Sequence, residues 1–347
     1  MVKKIGILTG GGDCPGLNPA IRAIVRRAAQ HDCEVIGFAK GWKGALTNET
    51  RPLPYATIDD LLVRGGTVLG TSRTNPYKEE GGPQKIRENL KANGMDALIA
   101  IGGEDTVGVA SKLYAEGLPV VGLPKTIDND LDVTDFTLGF PTAVEIVTEA
   151  FDRIRTTAES HERVMVIEIM GRHAGWLAAY GGIAGGADAI LTPEFPMKLS
   201  EIVEILERIR KRGRKYALIA VSEGAAIIDE QGKTIDSSSG SPVDSFGHVQ
   251  LGGIGEIVAK MIKDKTGLDT RSTNLGHTQR GGSPSGFDRI LSTAFGVRAF
   301  ELAHGGKFGW MPALVGGRIQ DVRLADATGK LKTLSPELYD LGRSLFG

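Results

Sequence analysis

Short apolar runs alternate with helical patterns along this chain, and most runs close on a loop that joins glycine to charged or hydroxyl residues. Lys4 to Thr9 reads as a strand ending in Gly10-Gly11-Gly12-Asp13-Cys14-Pro15-Gly16-Leu17-Asn18. A helix follows from about Pro19, with Ile21, Ile24, Val25 and Ala28 on one face. Glu34 to Ala39 is a second strand, Gln84 to Asn93 an amphipathic helix, and Asp96 to Ile101 a buried strand that runs into Gly102-Gly103-Glu104-Asp105-Thr106 and a helix through Leu113. Pro119 to Leu123 is another buried strand, followed by Pro124-Lys125-Thr126-Ile127-Asp128-Asn129-Asp130 and a helix from Ala143 to Arg155. From Arg163 the pattern begins again. Val164 to Ile169, Ala187 to Leu191, Tyr216 to Val221 and Thr270 to Leu275 read as strands, and Trp176 to Ala184, Glu201 to Arg212, Gly255 to Lys263 and Arg289 to Ala303 as helices. Residues 229–248 predict an exposed loop or hairpin, and Pro336 to Phe346 a short final helix. Strands separated by helices predict an α/β fold of three layers with mostly parallel sheets.

In such a sheet the chemistry gathers at the carboxyl ends of the strands. Taken singly, each loop is open to a plainer reading. Gly10 to Asn18 fits an anion-binding turn at a helix N-terminus or merely a tight turn, and it matches neither common nucleotide-binding glycine pattern. Gly65-Gly66-Thr67-Val68-Leu69-Gly70-Thr71-Ser72-Arg73 fits a phosphate contact by Arg73 or a β-turn with a surface arginine. Glu104 and Asp105 fit a Mg²⁺ site or ordinary acidic placement at a helix start. The Pro124–Asp130 stretch fits a catalytic turn or an Asp/Asn-rich turn with a solvated lysine.

Composition narrows the classes. The 48 glycines among 347 residues are about twice the usual ~7% share, as many tight turns and close backbone–ligand approaches require. A net charge of -1 provides no global basic footprint for nucleic acid. Cys14 and Cys33 have neither metal-site spacing nor a disulfide framework, which predicts a reducing, cytoplasmic setting. The N-terminus reads as no signal peptide, and no apolar stretch approaches the ~20 residues of a membrane span.

Together the loops are specific. Gly11-Gly12-Asp13-x-Pro15-Gly16-x-Asn18, Gly102-Gly103-x-Asp105-Thr106, Thr126-Ile127-Asp128-Asn129-Asp130, Met170-Gly171-Arg172 and Gly276-His277-x-Gln279-Arg280-Gly281-Gly282 resemble the phosphofructokinase A family in order and spacing over roughly residues 1–300. The resemblance implies two Rossmann-like three-layer α/β/α domains. Residues 1–139 plus about 279–329 would bind the phosphoryl donor, and 140–278 plus about 330–347 would bind fructose 6-phosphate. It implies phosphoryl transfer to the sugar's 1-hydroxyl, with Asp128 as catalytic base, Arg172 stabilising the transferring group and Thr126 orienting the hydroxyl. Gly11, Gly12, Arg73, Asp105, Thr106 and Lys125 fall to the donor, and Glu104 and Asp130 to Mg²⁺. Thr126, Asp128, Arg163, Met170, Gly171, Arg172, Glu223, Arg271, His277 and Arg280 fall to the sugar phosphate. Arg163 and Arg271 would reach the site of a neighbouring subunit in a homodimer or homotetramer.

The donor turns on two positions. Asp105 stands where ATP-using members of the family carry glycine, and a carboxylate there would crowd and repel a nucleotide's α-phosphate. Lys125 stands where the best-known bacterial ATP users carry glycine, and it places a cation beside the donor phosphates. The pair resembles the pyrophosphate-dependent subgroup, whose reaction runs in both directions. Glu104 departs from the usual aspartate. Arg22, Arg26 and Arg155 match an effector site of regulated bacterial members, but Pro54 replaces another of its arginines, so weak or absent effector control is expected. The competing readings are an ATP-dependent enzyme of the same family and a non-catalytic sugar-phosphate sensor. Intact Asp128, Asp130 and Arg172 argue against the sensor.

Overall fold

The structure, a computed structural model, describes residues 2–237, 246–247 and 251–347. Six strands build the larger sheet: β1 (Lys4–Thr9), β2 (Glu34–Phe38), β3 (Thr50–Pro52), β4 (Ala97–Gly102), β5 (Val120–Thr126) and β6 (Leu138–Gly139), in the order β3-β2-β1-β4-β5-β6. All neighbours are parallel except β2 and β3. The smaller sheet is wholly parallel. It contains β7 (Val164–Ile169), β8 (Ala189–Leu191), β10 (Ala217–Ser222) and β13 (Thr270–Asn274) in the order β13-β7-β10-β8. Beside it β9 (Met197–Lys198), β11 (Ile227–Ile228) and β12 (Thr234–Ile235) form a small ribbon. Every residue of β4, β5, β7 and β10 is buried. Strands covered on both faces lose the in–out alternation of a half-exposed sheet, which is why they read as unbroken apolar runs.

The covering helices are α1 (Leu17–Ala29), α2 (Trp42–Thr47), α3 (Gly82–Ala92), α4 (Glu104–Ala115), α5 (Phe140–His161), α6 (Trp176–Ala184), α7 (Leu199–Lys211), α8 (Ile254–Thr266), α9 (Gly286–His304) and α10 (Pro336–Arg343). The α1 face expected to be apolar is the buried one. After the smaller sheet the chain returns to the larger. There α9 packs against α1, β4 and β5, while α10 ends against α6 and β8. Buried Asp288 near the start of α9 accepts the N–H groups of Gly139 (2.8 Å) and Thr142 (2.9 Å), so it caps α5. Burial pushes its carboxyl up to about 6.

The structure changes several expectations. The strand expected to stop at Leu123 continues through Thr126, because β6 offers Lys125 and Thr126 a second pairing edge. Helix α5 begins at Phe140 and reaches His161, longer at both ends than its apolar stripe. The final helix stops at Arg343. A hairpin of β14 (Trp310–Val315) and β15 (Arg318–Arg323) occupies a segment that sequence reading left unassigned. Its Gly316-Gly317 turn, with φ of 58° and 76°, is the kind of two-residue connection that signals a hairpin. The excursion expected over 229–248 lies partly outside the described residues, and its described start includes β12, paired antiparallel with β11 just before it.

Candidate active site

The carboxyl ends of β1, β4 and β5 open into one cleft, faced by the loops after β7 and β13. Gly11 and Gly12 form its floor. Gly11 has φ 78°, a left-handed conformation that glycine takes without steric cost. A Cβ on Gly12 would come within 2.5 Å of the Arg280 guanidinium, so this backbone is bare because an arginine from the far end of the chain passes over it. Arg280 donates to the Asp13 carbonyl at 3.2 Å. The N–H of Gly11, expected to face the donor, is given to the Ser72 carbonyl at 3.3 Å.

Lys125 is 2% exposed and donates to the Gly12 carbonyl. The solvated-lysine reading is therefore excluded. Burial draws its pKa below the ordinary lysine value, with nearby Arg280 adding to the effect and Asp128 opposing it. Glu104 and Asp105 open α4 at the cleft wall, and buried Thr106 follows them. Glu104 also accepts the Gly329 N–H at 3.3 Å.

The turn after β5 presents two carboxylates. Asn129, between them, takes φ 53°, and its side chain is locked by the Asp135 carbonyl (3.1 Å) and the Thr137 N–H (3.1 Å). The Asp128 N–H donates to the Thr126 hydroxyl oxygen at 3.1 Å. The Oδ1 atoms of Asp128 and Asp130 are both occluded and without a hydrogen-bond partner among the described residues. Burial, then the charge of Asp128, pushes Asp130 up to about 7, against the pull of Arg172.

Across the cleft, Arg172 has φ 52°, and Glu223 accepts its N–H at 3.0 Å and that of Gly171 at 3.4 Å. Burial raises the pKa of Glu223, and Asp128 adds to this. Fully buried Gln279 accepts the Met170 N–H at 3.2 Å, which ties this loop to the His277–Arg280 turn.

Thus Gly11, Gly12, Arg73, Glu104, Asp105, Thr106, Lys125, Thr126, Asp128, Asp130, Arg172 and Arg280 line one cleft. Met170, Gly171 and Glu223 stand behind Arg172, and His277 is exposed near Arg280. Arg163 and Arg271 do not join the site of their own chain. They lie at the opposite ends of β7 and β13, roughly 20 Å along the strand from Met170. There both pair with Asp269, Arg271 at 2.7 Å. Sequence reading missed Trp42, Ser72, Thr74, His173, Phe246 and Leu331 on the wall. Ser72 and Thr74 flank Arg73 and carried a signal as hydroxyls in that loop. Leu331 arrives from a segment without any local pattern. Among the described residues no group of three or more His, Cys, Asp and Glu side chains is arranged to hold a metal ion by itself.

A family model described as phosphofructokinase matches residues 4–303. The chain belongs to the phosphofructokinase family. It is 54% identical over 346 residues to the pyrophosphate–fructose 6-phosphate 1-phosphotransferase of Amycolatopsis methanolica, covering 99% of this chain and 100% of that one. It is 47% identical to the ATP-dependent 6-phosphofructokinase of Corynebacterium efficiens, with 99% of each chain covered. The solved phosphofructokinase of Saccharomyces cerevisiae superposes with a TM-score of 0.81 at 30% identity over 94% of this chain, which spans 44% of the yeast chain. This phosphofructokinase is therefore an enzyme on the two-sheet α/β fold of its family. Among its described residues no helix is long and apolar enough to cross a membrane.

Proposed function

We propose that this phosphofructokinase transfers a phosphoryl group reversibly from pyrophosphate to the 1-hydroxyl of fructose 6-phosphate, giving fructose 1,6-bisphosphate and phosphate. The observation that carries the donor is Lys125: its buried amine lies against the glycine floor, with Asp105 on the same cleft wall. A cation at that depth suits a compact, highly charged donor, and a carboxylate beside it disfavours a nucleotide's α-phosphate. The 54% identity to a relative named for pyrophosphate supports the same donor.

Asp128 takes the proton of the 1-hydroxyl as that oxygen attacks phosphorus, and Thr126 orients the hydroxyl. Arg172, facing Asp128 across the cleft, stabilises charge on the transferring group. The occluded, unpartnered oxygens of Asp128 and Asp130 and the repulsion among Asp128, Asp130 and Glu104 fit a hard cation. Asp130 and Glu104 would hold Mg²⁺, which supplies charge neutralisation to the donor; Mg²⁺ commonly uses one or two carboxylates, with substrate phosphates completing its shell. Arg73, Thr106 and Gly12 bind the donor over the Gly11 backbone, whose N–H is held by Ser72, and Met170, Gly171, Glu223, His277 and Arg280 bind the sugar phosphate. The donor and sugar domains divide near 139 and again near 279 and 330, with the cleft between them. Arg163 and Arg271 serve a neighbouring subunit's site in a cytoplasmic homo-oligomer.

The test is a donor assay with fructose 6-phosphate and Mg²⁺, and either pyrophosphate or ATP. Turnover with pyrophosphate is expected, and turnover with ATP alone overturns the donor reading. The 47% identity to an ATP-dependent relative makes ATP the second reading.

A further inference from the structure

Asp128 is buried close to Asp130, and neither Oδ1 has a hydrogen-bond partner among the described residues, so the course of the turn's backbone matters to where these carboxylates sit. That backbone is held by a strap, residues 329–334, which crosses from the larger sheet to α10. The Gly329 N–H donates to Glu104 at 3.3 Å, and Leu331 forms an antiparallel bridge with Leu131. The Leu334 N–H donates to Glu194 at 2.8 Å; the same carboxylate takes the Gly175 N–H at 2.9 Å, just ahead of α6.

Lys332 is the centre of the strap. Its N–H donates to the Asp130 carbonyl at 2.9 Å. Its ammonium donates to the carbonyls of Thr134 and Asp135, both at 2.8 Å. Its own carbonyl accepts the Trp176 indole N–H at 2.8 Å, and its ammonium lies 4.9 Å from the centroid of that indole. Trp176 opens α6 four residues after Arg172, and the Ala174 N–H closes that loop onto the Gly171 carbonyl at 2.9 Å. The Lys332 side chain therefore holds the far end of the turn's exit, at Thr134 and Asp135, while its backbone holds the near end at Asp130, and both rest on Trp176 at the start of the helix that follows the arginine loop.

We propose that Lys332 is a positioning residue, which fixes the Asp128–Asp130 turn relative to Arg172 by clamping residues 130–135 onto Trp176. The role rests on the phosphotransfer reading above, since it is the alignment of base and arginine that Lys332 sets. Lys332 is not among the residues that line the cleft. Misplacement by about 1 Å at a phosphoryl-transfer site costs on the order of 100-fold in rate, so losing the clamp shows in kcat rather than in substrate binding.

The experiment is steady-state kinetics of the full chain with fructose 6-phosphate, Mg²⁺ and whichever donor the wild type turns over, alongside thermal melts. Absence of wild-type turnover with both pyrophosphate and ATP overturns the phosphotransfer reading and this inference with it. Given wild-type turnover, Lys332→Met, which keeps the stem and removes the ammonium, should lower kcat about 30- to 100-fold with KM for fructose 6-phosphate within about threefold. Lys332→Arg, which keeps the donors, should recover most of that loss. The inference is overturned if folded Lys332→Met keeps kcat within about twofold. It is equally overturned if KM rises as much as kcat falls, or if Lys332→Arg is as impaired as Lys332→Met. Should Lys332→Met fail to fold, Trp176→Phe decides: it keeps an aromatic ring under the ammonium and removes the bond to the Lys332 carbonyl. A kcat loss of about tenfold at unchanged KM supports the clamp, and an unchanged kcat overturns it.

Discussion

Lys125 shows what single side chains do here. Its amine is buried against the Gly12 carbonyl, so its charge is delivered to the glycine loop rather than to solvent. Asp105 lines the same cleft, and under the donor reading proposed above its carboxylate would crowd a larger donor. Asp105→Gly should therefore admit ATP turnover while weakening pyrophosphate use, read as kcat/KM for each donor. An unchanged preference would remove Asp105 from the account. Asp128 sits across from Arg172 with one oxygen unpartnered. Asp128→Asn cannot take the hydroxyl proton, so kcat should fall by about 10²- to 10⁴-fold with little change in KM for fructose 6-phosphate. A kcat that survives this substitution would move the base elsewhere.

Among the elements, the β14–β15 hairpin matters because it closes the larger sheet's side and precedes the strap. Asp321 on β15 pins it to α9 through Arg298 (2.6 Å) and accepts Lys307 as well (2.8 Å). Its hydrogen bond to Arg298 comes first among the causes that hold its carboxyl down at about 2, from an ordinary 3.8. A carboxylate held low stabilises the fold above its unfolded-state pKa and loses that contribution as pH falls through about 2. Asp321→Asn should thus cost about 1–2 kcal/mol near pH 7, discounted for the partly exposed Arg298. Denaturant titration should show the difference shrinking from pH 4 down to pH 2, and a pH-independent difference would rule the ion pair out as its source.

For the whole molecule, Arg163 and Arg271 present the sharpest question. Both lie at the amino ends of their strands, paired with Asp269 and remote from the cleft of their own chain. If they complete a neighbour's sugar-phosphate site, two kinds of dead subunit can repair each other. Mixed oligomers of Asp128→Asn and Arg163→Met subunits should recover activity that neither homo-oligomer has, because some sites then hold an intact base and an intact arginine. Mixed assemblies that stay at the level of the weaker parent would place Arg163 outside the active site.

The sequence by itself determined the element order, the parallel class of the sheets and the loops at which chemistry collects. These depend on local periodicity and on turn residues, which act over a few neighbours: Val164–Ile169 and Trp176–Ala184 stand where their apolar patterns set them. The hairpin was not read from the sequence, although Gly316-Gly317 signals its turn and β14 is an apolar run, because the half-exposed β15 carries no such run to pair with it. Only the tertiary structure decided which loop residues meet. Lys125 reaches Gly12 across 113 residues, Arg280 reaches Asp13 across 267, and Lys332 reaches Thr134 across 198. No local pattern encodes such contacts. They exist because two sheets pack with their strand ends facing, and burial in that cleft, rather than residue type, turns a lysine and two aspartates into a site.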